Sequence, residues 1–158
     1  MKRLIFALSS ALLATSMAGA SSISKKDFLQ KFPLKEGRYE TVVDGAHPGE
    51  FCENEELDVE LRQVDPDLVL TIGTKLVFPE LQKSESFSKG IKDCQVKMTN
   101  TLSSNSLQQV VTETCGKKVS YSKTHVLKLN GDLIEYAYTF EGKTSNCKYK
   151  LLKKDTTK

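Results

Sequence analysis

Residues 120–140 read SYSKTHVLKLNGDLIEYAYTF and alternate in polarity on both sides of Asn130-Gly131. Period-two polarity places alternate side chains on one face of a strand, and Asn-Gly between two such runs is the strongest short-range hairpin signal. With Asn130-Gly131 at the tip, Leu127 faces Ile134, His125 faces Tyr136 and Tyr121 faces Phe140. One face then collects Tyr121, Lys123, His125, Leu127, Ile134, Tyr136, Tyr138 and Phe140. A hairpin turning at Gly142-Lys143 adds Cys147, Tyr149 and Leu151 to that face, with Tyr149 opposite Tyr136 and Leu151 opposite Ile134.

Working outward, the period stays at two. A turn at Asp65-Pro66 sets Leu61 opposite Leu70 and Val59 opposite Ile72. A turn at Ser104-Asn105 sets Leu102 opposite Leu107, Met98 opposite Val111 and Cys94 opposite Cys115. A one-residue slip in any of these turns would exchange faces and set lysines against leucines. The sequence therefore predicts an all-β antiparallel meander of about eight strands, Arg38–Asp44 and Cys115–Leu129 among them. A sheet of this size leaves two edges open unless it closes. An up-and-down barrel, closed or partly open, is the first expectation and a strongly curved open sheet the second.

Before the strands, SSISKKDFLQKFP carries a helical signature. Ser24 and Asp27 form a capping-box-like start, Phe28, Leu29 and Phe32 make an apolar stripe, and Pro33 ends it. The following stretch, FPLKEGRYE, resembles the beginning of lipocalin-like (calycin) barrels, in which a helical turn closes the base and a G-x-W-x segment starts the first strand. Here the match is Gly37-x-Tyr39-Glu40, with tyrosine in the tryptophan position. The resemblance covers about a dozen residues; no T-D-Y motif or C-terminal stacking arginine accompanies it. It implies carriage of a small hydrophobic molecule in the barrel mouth, although a fold alone does not define a function.

Residues 1–20, MKRLIFALSSALLATSMAGA, have the positive start, apolar middle and Ala18-Gly19-Ala20 cleavage pattern of a signal peptide. The expectation is a single domain, residues 21–158, in the bacterial periplasm or secreted, and not membrane-spanning. Removing Lys2 and Arg3 from the 23 basic side chains leaves 21 against 20 acidic ones. So balanced a chain lacks the basic footprint of nucleic-acid binding. In an exported chain Cys52, Cys94, Cys115 and Cys147 should be oxidised. Four cysteines allow three connectivities. The opposed positions of Cys94 and Cys115 favour that pair, which leaves Cys52–Cys147.

No catalytic fingerprint appears: G-x-S-x-G, H-E-x-x-H, phosphate-loop and dinucleotide motifs are all missing. The cysteine spacing suits neither a metal site nor a C-x-x-C redox centre. No enzyme, metal or cofactor is expected. What remains is the hairpin face. Tyr hydroxyls, a histidine and a lysine have polar tips that need partners, since each buried unpaired group costs about 1–3 kcal/mol. The face is either plain core or the wall of a ligand site, with Tyr121, His125, Tyr136, Tyr138 and Tyr149 as candidate binding residues. The alternative is a protein-binding module, for example a hydrolase inhibitor. It would act through two long loops, residues 45–56 and 79–90, with Phe51 and Phe87 as anchors.

Overall fold

The computed structural model describes residues 23–42, 52 and 56–152. The leader, His47 and Phe51 lie outside the described residues. Helix α1 (Lys25–Lys31) begins at Ser24, whose hydroxyl accepts from Asp27 N at 3.2 Å and donates to the Asp27 carboxylate at 2.7 Å. Phe28 and Phe32 are fully buried with ring centroids 5.9 Å apart, and Pro33 follows the last turn. Among the described residues no helix is long and apolar enough to cross a membrane.

Among the described residues ten strands follow: β1 (Gly37–Thr41), β2 (Leu57–Val64), β3 (Asp67–Ile72), β4 (Leu76–Phe78), β5 (Glu85–Lys89), β6 (Cys94–Leu102), β7 (Ser106–Cys115), β8 (Lys118–Asn130), β9 (Leu133–Phe140) and β10 (Lys143–Leu151). They form one antiparallel sheet in the order β4-β3-β2-β1-β10-β9-β8-β7-β6-β5. Two strands beyond the expected eight are β4 and β5, too short to leave a clear alternation in the sequence. β1 pairs with β10, so every pair of chain neighbours is hydrogen-bonded except β4 and β5. The sheet is therefore not closed, and these two strands are its edges.

It is nevertheless strongly curved. Phe78 of β4 lies five ladder steps from β9, about 24 Å away on a flat sheet. Its ring centroid is 6.1 Å from that of Tyr136 on β9 and 5.7 Å from that of His125 on β8. The concave face holds the core, in which Leu61, Leu68, Leu70, Leu107, Leu127 and Tyr149 are fully buried with Phe28 of α1 and Phe32 just after it.

The β2–β3 and β6–β7 registers are the expected ones, Val59 facing Ile72, Leu61 facing Leu70 and Met98 facing Val111. The two later hairpins differ. Leu127 faces Tyr136 and His125 faces Tyr138, because the two-residue loop is Gly131-Asp132 rather than Asn130-Gly131. Gly131, at φ +63, takes the first loop position, where a II′-type turn uses glycine. In the next hairpin the loop is Glu141-Gly142, so Ile134 faces Tyr149 and Cys147 faces Tyr136. Both slips are of two residues, which preserves the face of every side chain.

Both disulfides join the favoured pairs. Cys94 and Cys115 face each other with Cα atoms 4.2 Å apart, and Cys52–Cys147 spans 5.6 Å between Cα atoms. Such bridges are typical of extracellular or periplasmic proteins. At the opening of β1, Gly37 adopts φ +144, a conformation reserved to glycine. Tyr39, two residues on, is buried and donates its hydroxyl to Lys35 O at 2.7 Å. Burial, and then the Asp132 charge, push this phenol up to about 12.

The gap between β4 and β5 is bridged by a connecting segment and by amide side chains. Residues 79–84 cross it, with Leu81 N donating to Leu68 O at 2.9 Å and Leu68 N donating to the Gln82 carbonyl at 2.8 Å. On the other side, Asn100 Nδ2 donates to Glu80 O and Lys83 O at 3.0 and 2.9 Å. Gln109 Nε2 reaches Pro79 O at 3.1 Å and Asn100 Oδ1 at 2.8 Å. Three amide side chains therefore add to the two backbone bonds at this gap, Leu81 N to Leu68 O and Asn100 N to Ser84 O at 2.7 Å, where elsewhere the sheet has a continuous ladder.

Candidate functional site

Where β4 curls over the β8–β9 hairpin, a cleft of about 440 Å³ opens between them. One wall is β4, with Phe78 held inward by strict alternation with exposed Val77. The facing wall is His125 from β8 with Tyr136 and Tyr138 from β9. Met98 and Val111, the opposed pair of β6 and β7, line it with Gln109, and two cations, Lys75 and Lys123, complete the perimeter.

His125 Nδ1 is 3.0 Å from the Tyr136 hydroxyl. Its ring is tilted against Tyr138 at 5.0 Å, and Phe78 meets both His125 and Tyr136 edge-on. Such edge-to-face contacts suit the quadrupoles of aromatic rings. Burial, with the Lys123 charge adding to it, lowers the His125 pKa to about 4. Burial raises the Tyr136 phenol well above its usual range, with Tyr149 and Tyr138 contributing. At neutral pH the pair is therefore an uncharged imidazole against a protonated phenol. It joins a donor to an acceptor without placing a net charge in the cleft.

Of the five candidate binding residues, His125, Tyr136 and Tyr138 come together here. Tyr121 lies farther along the same face, edge-on to Phe140 at 6.3 Å, and does not line the cleft. Tyr149 is fully buried in the core opposite Ile134. Phe87 is on edge strand β5 rather than in a loop, with the Lys97 ammonium 5.5 Å from its ring centroid. Among the described residues Cys94, Glu113 and Cys115 are grouped closely enough for a metal ion, but both sulfurs are consumed by the disulfide.

The β4 wall was missed in the sequence, since a three-residue strand contributes only Leu76 and Phe78 to a face. Gln109 was also missed, although its place two residues from Leu107 and Val111 on β7 puts it on their face. It is 2% exposed, and all its polar partners are within the protein. No family model and no curated protein matches the chain.

Proposed function

We propose that this chain is a non-enzymatic, exported binding protein that holds a small hydrophobic or aromatic molecule in the cleft between β4 and the β8–β9 hairpin. The lining carries this reading. Phe78, Tyr136 and Tyr138 supply aromatic surface, and the neutral His125–Tyr136 pair supplies a few convergent polar atoms. The size falls within the roughly 300–1,000 Å³ usual for small-molecule sites. The two disulfides support an oxidising destination, periplasmic or secreted. On this reading the curved sheet works as a barrel whose wall is completed by residues 79–84. Native mass spectrometry of the protein purified from the periplasm tests it. An extra mass lost on denaturation supports a carried molecule, and a bare mass counts against one.

A second reading, a protein-binding module, is favoured by one observation. Phe87 is 58% exposed on outermost strand β5, whose free edge can accept another strand. Under it, Phe87→Ala removes a partner that Tyr136→Ala retains; the cleft reading expects the reverse for a small ligand.

A further inference from the structure

Lys123 is out of place for a residue of a core face. It projects from β8 on the same side as His125 and Leu127, opposite Phe140 on β9 and Val111 on β7. It is partly buried there, and among the described residues it has no ion pair. Lys75 stands on the other wall, next to β4. Among the described residues the lining includes the Lys123 ammonium and no carboxylate. A partly desolvated cation beside apolar and aromatic groups gains most from an anion that can enter the same space. The His125 imidazole supplies no counter-charge, and the positive field of Lys123 already bears on it.

We propose that the cleft selects an amphipathic carboxylate, with its aromatic or aliphatic body against Phe78, Tyr136 and Tyr138 and its carboxylate on Lys123. This rests on the reading of the cleft as a ligand site and names the ligand class. The volume lies in the lower part of the range of small-molecule sites, so a carboxylic acid of one or two rings or a medium acyl chain is the right scale. The polar tips divide the work: Lys123 takes the charge, and the His125–Tyr136 pair borders the body without adding charge of its own. A cation is disfavoured by repulsion from Lys123.

The test is calorimetric titration of the oxidised protein at pH 7 and low salt with two isosteric probes, 2-naphthoate and the neutral 2-naphthamide. Naphthoate is expected to bind about tenfold more tightly, with the preference narrowing as salt rises. Lys123→Met should bring the two affinities together, while Lys123→Arg retains the order. Equal binding of the two probes by the native protein overturns the anion inference and leaves the cleft reading standing. A preference that survives Lys123→Met also overturns it, since the anion then sits elsewhere. Binding of neither probe removes the cleft reading and the inference together.

Discussion

The His125 imidazole is hydrogen-bonded to Tyr136, 3.0 Å away, although the residue directly across the ladder from His125 is Tyr138. The bond is a diagonal one, linking neighbouring strands across a step of two residues. Both rings are desolvated, so each needs the other as its polar partner. Tyr136→Phe keeps the ring and removes the hydroxyl, leaving the imidazole nitrogen without this partner. The expected loss is about 1–2 kcal/mol of stability by denaturant unfolding. His125→Phe added to Tyr136→Phe should cost less than the sum of the single changes, because removing both partners leaves no orphan. Strict additivity would mean that the bond contributes nothing.

The same histidine sets a pH dependence. Its pKa is 6.5 in the unfolded reference and about 4 in the fold. Between those values the unfolded chain binds more protons, so stability rises with pH. The contribution is fully present above pH 6.5 and is lost as pH falls from there to about 4. A fully enclosed imidazole would lose roughly 3 kcal/mol; water reaches part of this ring, and about 1–2 kcal/mol is expected. His125→Gln should flatten that part of the stability profile. An unchanged slope between pH 4 and 6.5 in the variant would assign the dependence to other groups.

The fold was legible in this sequence to the extent that inside and outside differ chemically. Alternation separated Ile134, Tyr136 and Tyr138 from Glu135 and Ala137, and it brought Cys94 to Cys115. It could not detect a slip of two, because such a slip returns every side chain to its own face. Both later hairpins slipped by that amount. Glycine took the first loop position in Gly131-Asp132 and the second in Glu141-Gly142, the reverse of the simplest reading of each turn. The cleft was half legible for a related reason. His125, Tyr136 and Tyr138 lie on long strands with clear alternation, whereas Phe78 becomes a wall only once the sheet has curled. Curvature is a property of the whole sheet and leaves no local mark beside Leu76-Val77-Phe78.

Those turns yield a stability prediction. Glu141 and Gly142 have φ of +48 and +76, so both loop positions are left-handed, as a type I′ turn requires. Glutamate fits the first position poorly and asparagine fits it well. Glu141→Asn should stabilise by a few tenths to about 1 kcal/mol, while Gly142→Ala should destabilise by about 1 kcal/mol or more. The β5–β6 turn repeats the pattern at Lys92 and Asp93, with φ of +54 and +60. Lys92→Asn with Asp93→Gly should likewise raise the melting temperature. A lower melting temperature for both asparagine variants would contradict this account of the turns.

The seam between β4 and β5 should be the part of the wall that depends most on single side chains. Every other neighbouring pair of strands is joined by a ladder of backbone bonds, whereas residues 79–84 are held on the β6–β7 side largely by Asn100 and Gln109. Gln109→Leu has similar bulk but removes the donors to Pro79 O and Asn100 Oδ1 at a position almost closed to water. A cost of about 1–3 kcal/mol follows from the unpaired carbonyls. Its distribution is the sharper expectation. Native-state hydrogen exchange should accelerate at residues 80–89, while β1, β9 and β10, anchored by ladders on both sides, keep their protection. Phe78 closes the cleft from the strand that leads into this segment, so the same variant should also release a bound naphthoate faster. Uniform acceleration through the whole sheet would instead make Gln109 an ordinary core residue and the seam no weaker than its neighbours.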